Sequence, residues 1–153
     1  MSPTRTTRRE EDPLGAVDVP AEALYGVQTV RAVQNFPVSG LAPDPGFVDA
    51  VVRIKRAAAS VHKGTGRLDR ALADAIIGAA DEVLGGRHRD QFVVDPFQAG
   101  AGTSMNMNVN EVLANLANRG YQSFGFEPSP MREQQWLLLL KDARKLMSLA
   151  SGS

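Results

Sequence analysis

Gln98-Ala99-Gly100-Ala101-Gly102-Thr103-Ser104-Met105-Asn106-Met107-Asn108-Val109-Asn110-Glu111-Val112-Leu113-Ala114-Asn115 says more about the architecture of this chain than any other segment. Two spaced glycines run into Thr-Ser, three asparagines follow at every second position, and an apolar helical pattern takes over. A flexible backbone feeding a helix start aims unpaired N–H groups and the positive end of the helix dipole in one direction, which suits an anion. Thr103 and Ser104 add hydroxyls at that point. Alternating asparagines cannot all share one helical face, and asparagine is a weak helix former. Their amides therefore serve specific hydrogen bonds, to neighbouring backbone in the case of Asn108 and Asn110. A bare Gly-x-Gly pair is more often a helix-capping turn than a ligand site; the asparagines tip the balance toward a ligand.

On either side of this segment, the chain reads as helices joined by irregular connections. Val48, Val51, Val52, Ile54, Ala58, Ala59 and Val61 recur at helical spacing until Gly64-Thr65-Gly66. Leu68, Leu72, Ile76, Ile77, Ala80, Val83 and Leu84 mark a second amphipathic helix, with Asp69 at its start and Gly85-Gly86 at its end. The two are expected to form an antiparallel hairpin. Residues 87–103 read as a long polar connection, and a third helix is expected from Ser104 to Asn118, with Gly120 and Gly125 interrupting the next stretch. Ser129-Pro130 signals a last helix from Met131 to Leu149, whose apolar residues cover more than one face and want burial or a partner. Trp136 and its leucines read as core. Residues 10–46 are rich in Pro and Gly, so only short helices are expected, over Ala21–Tyr25 and Thr29–Phe36, with the rest extended or looped. Residues 1–9 read as a mobile tail.

Composition narrows the function classes. The chain has 153 residues, 43% of them apolar, enough for one modest domain with a core. Lys+Arg and Asp+Glu are both 17, so no general affinity for nucleic acid or a membrane surface is expected. No cysteine is present, which excludes disulfides, thiolate nucleophiles and cysteine zinc sites within the chain. The first residues hold no apolar leader segment, and the expected compartment is the cytoplasm.

Several blocks carry a resemblance. They are Glu10 to Pro20 with Ala21 to Phe36, Lys55-Arg56-Ala57-Ala58-Ala59, Ala80-Asp81-Glu82-Val83-Leu84, and Gln98 to Asn115. In order and spacing they resemble the aspartase/fumarase superfamily over about residues 8–118. Tyr25-Gly26-Val27 and Gly100-Ala101-Gly102-Thr103-Ser104 look more like aspartate ammonia-lyase than class II fumarase, which usually carries Trp-Gly-Ala and Gly-Ser-Gly-Thr there. The resemblance implies a mainly α fold: the N-terminal helical domain of that superfamily over 10–118, with an irregular N-terminal arm and a divergent C-terminal segment, 119–153, holding one apolar helix. It implies reversible conversion of L-aspartate to fumarate and ammonia, no cofactor or metal, and a homotetramer whose subunits share each site. It marks Thr103 as substrate-binding, with Ser104 and Asn106 as neighbours. The family's T-x-R matches Thr29 and Arg31, and Arg31 is read as tying the N-terminal arm to the body.

The resemblance stops after Ala117. The family's later substrate-binding segments, and its serine loop Gly-Ser-Ser-x-Met-Pro-x-Lys-x-Asn, have no counterpart in this sequence. His62 and His88 read as surface histidines, Asp81-Glu82 as a solvated face, and Glu111 as a helix-start carboxylate. No catalytic residue is assigned. The expectation is a domain that is inactive alone and works with a second copy or another subunit. The alternatives are a fumarase-type hydratase and a non-catalytic interaction protein derived from the family.

Overall fold

The computed structural model describes residues 6–123. The last helix expected over Met131–Leu149 lies outside the described residues. The described chain is mainly helical, in the order β1 (Thr7–Asp12), β2 (Gly15–Pro20), α1 (Val27–Asn35), α2 (Pro45–Gly64), α3 (Arg70–Leu84) and α4 (Thr103–Ser123). It divides into two compact units. One combines the residues up to Val48 with His88–Val112; the other combines Asp49–Arg87 with the chain from Leu113 onward.

In the first unit, β1 and β2 pair antiparallel with Thr7 opposite Pro20 and Asp12 opposite Gly15. The Asp12 carboxylate accepts from Leu14 N at 2.9 Å, which closes the turn. The mobile tail expected over residues 1–9 is thus corrected at its end, because Thr7, Arg8 and Arg9 belong to a strand. Arg8 explains why. Its guanidinium donates to the carbonyls of Pro20, Ala21, Ala23 and Tyr25 at 2.7–3.1 Å, and to Glu10 Oε1 at 2.8 Å. The short helix expected at Ala21–Tyr25 does not form for the same reason: those carbonyls face Arg8 instead of the next helical turn. The helix begins at Val27 and covers most of the expected Thr29–Phe36 segment.

In the second unit, the α2 residues from Asp49 onward run antiparallel to α3. Arg56 Nε donates to Asp81 at 2.6 Å, and Lys63 pairs with Asp74, so rising numbers on one helix meet falling numbers on the other. Asp69 caps α3 by accepting from Leu72 N at 3.1 Å. Ala58, Ala59, Ala73, Ala79 and Ala80 are buried beside Val52, Ile76 and Val83, and such small side chains let helix backbones approach closely. Each fully buried Val or Ile contributes about 1.5–3 kcal/mol, whereas the exposed ion pairs contribute about 0–1 kcal/mol. Asp81 and Glu82 are structural as expected, paired with Arg56 and Arg87. His62 corrects its surface reading: it is 4% exposed.

Helix α4 begins at Thr103 and runs through Gly120, which was expected to break it. One glycine in a helix costs about 1 kcal/mol, and the buried row Met105, Val109, Val112, Leu113, Leu116 and Ala117 outweighs that.

Candidate functional site

The site expected at Gly100–Asn106 is a bend leading into α4. Gly100–Gly102 make a tight turn in which Ala101 has φ 62° and Gly102 φ 71°. The left-handed conformation is natural for Gly102 and costs Ala101 about 1–2 kcal/mol. The turn releases the chain into α4 with Thr103 exposed as its first residue. Gln98 supplies one cap, its Oε1 accepting from Met105 N at 2.6 Å. No described side chain accepts from the N–H of Thr103 or Ser104, and the 3-10 turn over Gly100–Gly102 leads straight into α4. Thr103 Oγ1 makes only a long contact with Gly100 O, at 3.5 Å.

The three expected substrate-binding residues are placed differently. Thr103 is exposed, Asn106 is half-buried one turn further along the same face, and Ser104 is only 7% exposed. The later asparagines turn inward. Asn108 is fully buried and bridges the backbone, accepting from Val93 N and donating to Gln91 O, both at 3.0 Å. This is the backbone role expected for it. Asn110 is 3% exposed and its amide contacts Met107 Sδ at 3.8 Å.

Glu111 is structural, on a helix other than its own. Its carboxylate accepts from Gly26 N, Gln28 N, Thr29 N and Thr29 Oγ1 at 2.6–3.0 Å. Glu10 Oε2 takes Val27 N at 3.0 Å. Helix α1 lacks a cap from its own Gly26 and receives two carboxylates at its positive end instead. A Cβ on Gly26 would lie 2.7 Å from Glu10 Oε2 and 3.0 Å from Glu111 Oε1, so a larger residue there would push aside the carboxylates that cap α1. Arg31 ties down the arm as expected, donating to both Asp12 oxygens and to Gly15 O at 2.7–2.9 Å. That guanidinium holds the Asp12 carboxyl below its usual range.

Sequence reading missed Asp95. Burial alone would raise its pKa, but donors from Phe97 N, Ser39 N, Ser39 Oγ and Gly40 N at 2.7–2.9 Å outweigh that and hold it at about 2. Nothing local could reveal the pairing, because Ser39 and Asp95 are 56 residues apart. A depression of about 430 Å³ in the same unit is lined by Thr6, Pro20 to Ala23, Tyr25, Asp90 and Gln91, Glu22 and Asp90 bringing carboxylates. None of its lining residues belongs to the α4 start.

The profile of a lyase family matches residues 15–135, most of the chain and past the point where the resemblance read from motifs stops. The chain belongs to this lyase family. A class II fumarate hydratase of Halobacterium salinarum is 54% identical over 110 residues, covering 72% of the chain and 23% of that protein. An aspartate ammonia-lyase of a Bacillus species is 48% identical over 110 residues, covering 72% of the chain and 24% of that lyase. The chain thus spans about a quarter of the length of these relatives. Among solved structures, the fumarate lyase:delta crystallin from Brucella melitensis aligns over 90% of the chain and 29% of its own, with a TM-score of 0.76 at 41% identity. The class II fumarase from Schistosoma mansoni aligns over 81% of the chain and 26% of its own, with a TM-score of 0.75 at 37% identity. The mainly α lyase fold is therefore this chain's fold. No described helix is long and apolar enough to cross a membrane.

Proposed function

We propose that the opening of α4 holds one carboxylate of a four-carbon dicarboxylate, aspartate or fumarate, for a cytoplasmic lyase of the aspartase/fumarase type. Thr103 supplies a hydroxyl and first-turn N–H groups supply backbone donors; Ser104 and Asn106 complete the opening. The observation that carries this reading is the exposed Thr103 behind a left-handed Gly102, as the first residue of α4.

The chemistry needs more than a carboxylate grip. Removing the proton beside a carboxylate builds charge on that group, so preorganised donors and a base must act together. Four carboxylates of this unit are committed elsewhere. Asp12 holds Arg31, Glu111 and Glu10 cap α1, and Asp95 binds the Ser39–Gly40 loop. The family's serine loop has no counterpart in these 153 residues, so on this reading they bind without turnover, and a second copy or another subunit supplies the base. Thr103-Ser104 and Tyr25-Gly26-Val27 favour aspartate as substrate. The hydratase reading draws on the 54% identity to a class II fumarate hydratase.

An NMR titration of the chain with fumarate tests the grip. Amide shifts concentrated at Gly100–Asn106 and weakened severalfold by Thr103→Val are expected, in the millimolar affinity range of a single carboxylate contact. No response at those amides up to tens of millimolar ligand would sink it. Absorbance at about 240 nm, where fumarate absorbs, should stay flat with L-aspartate and with L-malate; steady fumarate production would overturn the requirement for a second chain.

A further inference from the structure

A groove in the second unit brings two arginines together. It has a volume of about 590 Å³ and is lined by Arg53, Arg56 and Ala57 of α2 and by Asp81, Leu84 and Gly85 at the C-terminal end of α3. Arg53 and Arg56 stand three positions apart, so they are neighbours on one face of the helix. Asp81 holds Arg56 in place: Nε donates to Oδ1 at 2.6 Å and Nη2 to Oδ2 at 3.2 Å. That pairing uses one edge of the guanidinium and leaves the Nη1 side without a described acceptor. Arg53 is exposed, and among the described residues it has neither a hydrogen-bond nor an ion-pair partner. Asp81 is the one acidic residue of the lining, and Arg56 takes both its oxygens. Glu82, the next residue, pairs with Arg87 at 3.6 Å. The lining therefore carries one positive charge with no counter-charge of its own.

We propose that this groove binds a small phosphate monoester. The donors select that class of ligand. A carboxylate has two oxygens, and a single guanidinium fork fills them, as Arg56 does with Asp81. A phosphate monoester has three free oxygens and nearly two charges at neutral pH. It can take the Nη1 side of Arg56 and the fork of Arg53 together. Asp81 fixes the plane of Arg56 in advance, so less side-chain freedom is lost when the anion arrives. Beyond the guanidiniums, Ala57 and the half-buried Leu84 form an apolar wall, and Gly85 presents no side chain. That wall suits an apolar or planar organic group on the ester oxygen, and the volume is that of a small-molecule site. The groove belongs to the second unit and the carboxylate grip at Thr103 to the first, so the two readings stand or fall separately.

NMR titrations of the full chain with phenyl phosphate, inorganic phosphate and benzoate, at constant ionic strength, test the site. Shifts are expected at the Nε–H groups of Arg53 and Arg56 and at the backbone amides of Ala57, Leu84 and Gly85. Inorganic phosphate should bind in the millimolar range, phenyl phosphate severalfold tighter, and benzoate about tenfold weaker than phenyl phosphate. Arg53→Gln should weaken phenyl phosphate about tenfold, and Arg53→Lys should recover only part of that, since an ammonium restores the charge without the fork. Arg53 is exposed and has no described partner, so both variants should melt with the wild type. Thr103→Val should leave phenyl phosphate binding unchanged, which separates this groove from the opening of α4. Three results overturn the proposal: no shift at these groups up to about 20 mM phenyl phosphate; benzoate binding as tightly as phenyl phosphate; or an affinity that Arg53→Gln does not change.

Discussion

Lys55 is buried to 2% exposure, and no described group pairs with it. Burial lowers its pKa from 10.5 to about 8. Below pH 8 the ammonium is charged in folded and unfolded chains alike, and its burial cost is fully present. Between pH 8 and 10.5 the unfolded chain holds more protons, so stability rises with pH; above 10.5 the cost is gone. Lys55→Met should therefore stabilise the protein at neutral pH by on the order of 2–3 kcal/mol. Urea midpoints measured from about pH 7 to about pH 11 should show the two proteins converging. A constant gap across that range would mean that the ammonium is not the cause. The neighbouring positions carry the same lesson: the apolar periodicity of α2 points to Ile54 and Val61 as core, and the packed structure buries Lys55 and His62.

At the level of elements, the helix starts differ in who caps them. Asp69 caps α3 from the adjacent position, a motif visible in the sequence. Helix α1 is capped across 82 residues by Glu111. Glu111→Ala removes an acceptor from several helix-start donors at once and should cost about 2 kcal/mol, with Glu111→Gln costing less. Thermal melts of both variants order them; equal loss would show that charge toward the α1 dipole is the whole effect. The turn before α4 allows a paired test. Gly102→Ala should destabilise by about 1 kcal/mol, since φ 71° penalises a Cβ even though space is open around it. Ala101→Gly should gain up to about 1 kcal/mol by relieving φ 62°. Opposite signs in urea unfolding are the expected outcome.

For the whole molecule, two lowered carboxyls set the acid limit. Asp12 is lowered by Arg31, and Asp95 stands at about 2 through its Ser39, Gly40 and Phe97 donors. Both folded values lie below the ordinary 3.8. Their stabilisation is therefore complete above about pH 4 and is lost as pH falls toward about 2. A chemical-denaturation series from about pH 6 to about pH 2 should fall in that window, and Asp95→Asn should flatten the decline. A wild-type profile with no slope between about pH 4 and about pH 2 would rule out this origin.

Helical periodicity, glycine stops and the Asp69 cap placed α2, α3 and the start of α4 from sequence alone, because those signals act within a few residues of one another. The motif at Gln98–Asn115 marked the family for the same reason: its meaning is local. Other features took shape only on folding, because they depend on partners far along the chain. Arg8 turned an expected tail into a strand and an expected helix into a turn by collecting carbonyls up to 17 residues away. Asp95 and Glu111 became loop and helix anchors through contacts spanning 56 and 85 residues. Which side of α2 faces inward was equally beyond the sequence, since both sides are apolar and only packing against other helices chooses between them.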